Sequence, residues 1–169
     1  SLALSALTQA YKYEKNVRLF YVLINHNIRK NSLKEANQVK ALLKKHKINV
    51  VIITNKEKIK TNIQGQARKI RYDLLSKYCL KKNVKVILTA HNLEDQVETF
   101  FIRLSRGSGL SGLSAMKPLS ILNGKIKIFR PLLEVKKDEL IKISKQVYGK
   151  FFIDPSNNDT KYLRVKIRN

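Results

Sequence analysis

A chain of 169 residues with 43% hydrophobic content is long enough for one ordinary globular domain with its own core, and a single domain over 1–169 is expected. No run approaches the roughly 18 consecutive apolar residues of a membrane span, and the sole cysteine, Cys79, excludes an internal disulfide and any paired-cysteine zinc or redox motif, which suits a reducing cytosol. Lys and Arg outnumber Asp and Glu by 35 to 12, a net charge of +23 that points to a partner made of phosphates, RNA or DNA, although 26 scattered lysines are also what compositional drift produces.

Ser1 leads straight into a helical pattern through Ala3, Leu4, Leu7, Ala10 and Tyr11, whereas a doubly wound fold feeds its first helix from a strand and loop. Val17–Ile24, Asn49–Thr54 and Val84–Ala90 are short apolar runs rich in β-branched residues and read as buried parallel strands. Between them lie two helices. Ser32–His46 opens with Ser32 three residues before Glu35, the spacing of a capping box, and Thr61–Lys82 places Ile63, Ala67, Ile70, Leu74 and Tyr78 on one face. Leu93–Ser105 repeats Val97, Phe100, Phe101 and Leu104 at helical spacing and ends at Gly107. A glycine-rich turn, Gly107–Gly112, precedes a hairpin in which Leu119–Leu122 and Lys125–Phe129 flank Asn123-Gly124. A helix around Lys136–Val147 leads to a polar loop, Asp154–Thr160, and a basic segment that stops in mid-pattern; both ends read as cut. Alternating strands and helices predict an α/β fold with a Rossmann-like, doubly wound parallel sheet and a small hairpin insertion near 117–130.

Ligands of such sheets bind beyond the carboxyl ends of the strands. Asn25, His26 and Arg29 follow one strand, and His91, Asn92, Glu94 and Asp95 follow another. Glu94, Asp95 and Glu98 concentrate three of the twelve acids within five residues. Such carboxylates can hold Mg²⁺ beside ATP phosphates or act as a general base, and they can equally well cap a helix begun by Asn92. Arg68 and Arg71 can reach a phosphate or form a solvated face, and Arg164, Lys166 and Arg168 can clamp RNA phosphates or stay solvated.

Read together, Ala90-His91-Asn92-Leu93-Glu94-Asp95-Gln96-Val97-Glu98-Thr99, then Arg103–Leu113, then Met116-Lys117-Pro118 resemble the tRNA(Ile)-lysidine synthetase family of PP-loop ATPases (adenine nucleotide α-hydrolase-like). Asn25–Arg29, Asn62–Tyr72, Arg130–Leu133, Asp154–Asp159 and Arg164–Arg168 agree in order. Ser1 looks like the last serine of that family's Ser-Gly-Gly-x-Asp-Ser loop, whose glycines let backbone N–H groups surround pyrophosphate. The resemblance implies a cytoplasmic carbon–nitrogen ligase that spends ATP, with Mg²⁺, to join free L-lysine to C2 of the wobble cytidine of tRNA(Ile) with a CAU anticodon, giving lysidine. It implies His91 and Asp95 at the reacting centre, Asp95 as base or Mg²⁺ ligand, and Ser1, His26, Arg29 and Arg68 toward ATP. It implies Arg71, Arg106, Arg164, Lys166 and Arg168 toward tRNA or phosphate. With most of the pyrophosphate loop absent, the fragment is expected to be inactive alone; a homodimer is compatible with it. Ala90 for Gly, Glu94 for Asp, Asn25 for Asp, and Val165 with Lys166 depart from the family pattern, and Asn25 weakens any acidic role at its junction. The competing readings are another PP-loop tRNA modifier, a thiolase, disfavoured by the solitary Cys79, and a non-catalytic RNA-binding module.

Overall fold

The computed structural model describes residues 2–57, 59 and 61–152, so the expectations for Ser1, the 154–160 loop, Arg164, Lys166 and Arg168 lie outside the described residues. In chain order the elements are α1 (Leu2–Lys15), β1 (Tyr21–Asn25), α2 (Ser32–Lys45), β2 (Val50–Thr54), α3 (Ile63–Lys81), β3 (Val86–Leu88), α4 (Leu93–Leu104), the single turn α5 (Leu110–Leu113), β4 (Leu119–Leu122), β5 (Ile126–Phe129) and α6 (Lys137–Tyr148). The alternation expected from the sequence is present, and the fold is α/β.

β1 and β2 pair in parallel, in register from Tyr21 opposite Val50 to Asn25 opposite Thr54. That pairing explains why β1 begins at Tyr21 rather than at Val17: β2 is five residues long, and residues 17–20 have no strand beside them. A second sheet has the order β3-β5-β4. The Lys85 carbonyl accepts from the Lys127 N–H and the Phe129 carbonyl from the Thr89 N–H, so β3 and β5 also run in the same direction. The hairpin that delivers β5 turns at Asn123 and Gly124, with φ of 50° and 69°, the paired left-handed residues of a type I′ turn.

The described residues form two compact units, one of residues 2–6, 88–120 and 128–152, the other of 7–87 and 121–127. In the first, Ala3, Leu132 and Leu140 form the core with Leu4, Ala90, Val135 and Ile143 against them. Ser5 Oγ lies 2.9 Å from the Tyr148 hydroxyl within it. In the second, Cys79, Ile87 and Ile126 are buried with Leu75, Val84 and Leu122, and α2 packs on both β1 and β2.

One local expectation needs correction, and two helices bury a different line from the one their apolar spacing marks. Ser32 does not cap α2: the cap position is Asn31, which makes no side-chain cap bond, and Glu35 turns instead to Arg29, 3.0 Å away. The buried line of α3 runs through Ala67, Tyr72, Ser76 and Cys79, so of the expected face only Ala67 lies at its centre. On α4 the apolar stripe is outside: Val97, Phe100, Phe101 and Leu104 are 38–48% exposed, whereas Glu98 is 4% exposed. Periodicity records which residues share a face, and a face needs a neighbouring element to be covered.

Candidate functional site

The strand ends organise two groups of polar residues, one in each unit. At the end of β3, Thr89 and His91 are joined by Thr89 Oγ1 to His91 Nδ1 at 2.9 Å. Asn92 then opens α4 with a complete capping box. Its Oδ1 accepts the Asp95 N–H at 3.0 Å, and Asp95 Oδ2 accepts the Asn92 N–H at 3.1 Å. Glu94 reaches another helix, taking the Lys137 N–H on both carboxylate oxygens at 2.9 and 3.0 Å. It thereby supplies α6 with the N-terminal anion that its own cap residue, Lys136, cannot provide. Asn92, Glu94, Glu98 and Lys137 line a cavity of about 240 Å³.

The acidic cluster is therefore committed, in part, to holding helices. Both oxygens of Glu94 are engaged, which disfavours it as a metal ligand. Asp95 uses only Oδ2, and its Oδ1 makes no hydrogen bond among the described residues. No group of three or more His, Cys, Asp or Glu residues able to hold a metal occurs among the described residues. This donor set fits a Mg²⁺ ion that takes one protein carboxylate and completes its shell with phosphates and water, and does not fit an all-protein cage.

Downstream, the glycine-rich segment is fixed through its backbone. The Gln96 amide exchanges two bonds with Met116, Nε2 to the carbonyl at 2.9 Å and Oε1 from the N–H at 2.7 Å. Arg103 donates from one nitrogen to the carbonyls of Gly112 and Ser114. Arg130, 6% exposed, donates to the Lys117 carbonyl at 2.8 Å and to Ser120 Oγ at 3.0 Å. Arg106 stands exposed at the start of this turn.

In the other unit, Asn25 ends β1 and Asn55 directly follows β2, each 3% exposed. Asn55 is fully used: its amide bridges Glu57 and the His26 carbonyl. Asn25 Oδ1 accepts the Asn27 N–H, and its Nδ2 is buried with no hydrogen-bond partner among the described residues. His26 Nε2 lies 3.3–3.4 Å from the Arg71 guanidinium. Because arginine can only donate, Nε2 accepts and the proton sits on Nδ1, which is buried and unpartnered among the described residues. Burial, and then the Arg71 charge, push the His26 pKa below its ordinary 6.5, so the ring is neutral at physiological pH.

Of the residues singled out, His91 and Asp95 thus fall in one group and His26 and Arg71 in the other. Arg29 is drawn to Glu35, and Arg68 stacks its guanidinium 5.1 Å from the Tyr72 ring centre. Sequence reasoning passed over Asn55, although a polar residue directly after the run Asn49–Thr54 was a visible signal. It also gave no role to Gln96 and Arg130, whose bonds to backbone leave no trace in composition.

Residues 1–169 match the family described as the PP-loop domain. The chain is 47% identical over 148 residues to the tRNA(Ile)-lysidine synthase of Wolbachia pipientis wMel, covering 86% of this chain and 34% of that one. It is 39% identical over 169 residues to the enzyme of the same name from Orientia tsutsugamushi, covering 99% and 38%. It thus spans a little over a third of the length of these relatives. Among solved structures, the U34-tRNA thiolase NcsA from Methanococcus maripaludis with its [4Fe-4S] cluster superimposes with a TM-score of 0.77 at 17% identity, covering 99% of this chain and 60% of that one. At that identity the likeness speaks for the fold.

Proposed function

From the premise that this chain belongs to the PP-loop domain family, we propose that it is the nucleotide-binding domain of a cytoplasmic tRNA(Ile)-lysidine synthase. The observation that carries this reading is the identity of 36–47% to relatives of that name, seven of which match over 86–99% of this chain. In the first step O2 of the wobble cytidine of a CAU-anticodon tRNA(Ile) attacks the α-phosphate of ATP and pyrophosphate leaves. In the second the ε-amino group of free lysine attacks C2 and AMP leaves. Activation is needed because a ring carbonyl oxygen is a poor leaving group until adenylated.

The residues support distinct parts of this chemistry. Lysine, with a reference pKa of about 10.4, must lose a proton before it attacks. Asp95, fixed by the capping box with Oδ1 available, serves as that base or as the carboxylate that holds Mg²⁺ on the phosphates, and His91 stands beside it at the same strand end. Bound Mg²⁺ supplies charge neutralisation on those phosphates. Neutral His26, with Ser1, Arg29 and Arg68, is assigned to ATP, and Arg71, Arg106, Arg164, Lys166 and Arg168 to tRNA or phosphate. Cys79, buried in an apolar cluster with its thiol pKa pushed up by burial, is unsuited to sulfur transfer, which argues against the thiolase reading.

The test is incorporation of labelled lysine, by the intact protein with ATP, into a CAU-anticodon tRNA(Ile), with a methionine tRNA as control. ATP-dependent labelling of the isoleucine tRNA alone is expected. ATP consumption without labelling would sink the ligase reading.

A further inference from the structure

Away from the strand ends, α2 and the turn before it carry a one-sided charge. Residues 29–47 hold Arg29, Lys30, Lys34, Lys40, Lys44, Lys45 and Lys47 against one acid, Glu35, and that acid is taken by Arg29. The buried side of the helix, Ala36, Leu42 and Leu43, is spent on the sheet. On the other side Lys34, Gln38, Ala41 and Lys45 fall within about 60° of one another at 100° per residue, with Asn37 and Lys44 along the edge. An open trough of about 590 Å³ runs there, lined by Lys30, Leu33, Lys34, Asn37, Gln38 and Ala41. The amides of Asn37 and Gln38 make no hydrogen bond among the described residues.

We propose that this face of α2 is a docking surface for an RNA backbone, with Lys30, Lys34 and Lys45 taking phosphate oxygens and the amides of Asn37 and Gln38 meeting ribose hydroxyls between them. The proposal rests on the reading above, in which the substrate is a tRNA. Lys34 and Lys45 stand eleven residues apart, about 16 Å along the axis, enough to span several successive phosphates of one strand. A membrane surface would call for a broad exposed apolar face opposite the lysines, and of the leucines of α2 only Leu33 is exposed, Leu42 and Leu43 being buried. A protein partner would call for aromatic or arginine anchors at the centre, and the trough has none. Lysines with interleaved amides suit a backbone that is held by charge and recognised as RNA by its 2′-hydroxyls.

The experiment compares the intact protein with two variants that lose the same charge: Lys30→Ala/Lys34→Ala, and Lys81→Ala/Lys82→Ala at the far end of α3, where both lysines are exposed. Affinity for the CAU-anticodon tRNA(Ile) is measured between 50 and 200 mM salt, with circular dichroism to confirm folding. The α2 pair should weaken binding about tenfold and flatten the slope of log K against log salt by about 1.5, while the α3 pair changes affinity less than about twofold. Equal weakening by both pairs would reduce the effect to net charge and overturn the proposal, as would no weakening by either. Loss of binding to phosphatidylserine vesicles with tRNA binding intact would assign the face to a membrane. If the unmodified protein binds this tRNA but never incorporates lysine, the functional reading fails while the surface stands.

Discussion

On the proposed function Asp95 would carry a catalytic burden as well as its cap, and ordinary truncation would confound the two. Asp95→Ala removes half of a capping box as well as a carboxylate, and loss of a cap alone costs about 1 kcal/mol. Asp95→Asn separates them, since the asparagine oxygen still accepts the Asn92 N–H while the charge is gone. We expect this variant to melt within about 3 °C of the parent, the scale of a sub-kcal/mol change, yet to lose lysine incorporation by at least about 100-fold. Retained activity would leave Asp95 a purely structural cap. His26 gives a prediction in pH. Its folded pKa lies below 6.5, so as the solution is acidified the unfolded imidazole takes a proton before the folded one does. Its contribution to stability is therefore complete above about pH 6.5 and is lost as the pH falls through the folded pKa. Urea unfolding at pH 7.5 and 5.5 should show a smaller acid loss in His26→Gln than in the parent; an identical loss would mean the ring is not held neutral by its surroundings.

At the scale of elements, the bonds from Gln96 to both backbone groups of Met116 and from Arg103 to two further carbonyls make the 112–116 segment an accessory of α4. Gln96→Ala should cost about 1–2 kcal/mol, the worth of two partly buried hydrogen bonds, and should speed hydrogen exchange at the Met116 amide while leaving exchange in α6 unchanged. Exchange rising equally in both would indicate global loosening. Gly124 sits at φ +69°, so Gly124→Ala should destabilise the hairpin by about 1 kcal/mol. The order of elements was legible because the first three strands lie in runs rich in β-branched residues and Asn123-Gly124 is an unambiguous turn between the last two. The failures are equally local. Ser32 and Glu35 have the spacing of a capping box, but an arginine six residues before Glu35 offers it a charged partner, which a serine amide cannot match. α3 is partly buried on several sides, so its helical stripe does not single out the line that faces inward.

For the whole molecule, the strand-end rule singles out His26 and His91, which do follow β1 and β3, and it is the resemblance that ranks Asp95 above Glu94. What stayed illegible was the competition for each carboxylate, because Glu94 meets the Lys137 amide across forty-three residues of chain. With +23 charges, tRNA binding should weaken by at least about 100-fold between 50 and 200 mM salt; affinity indifferent to salt would exclude a phosphate-dominated interface. The outward stripe of α4 bears on how the protein behaves at the bench. Two phenylalanines standing 38% and 46% exposed beside Val97 and Leu104 form a greasy ridge on the folded molecule, and environment-sensitive dyes adsorb to such ridges without waiting for unfolding. A dye-based melt would then start bright and show little rise, making a well-folded sample resemble a collapsed one, and Phe100→Ser/Phe101→Ser should darken that starting fluorescence.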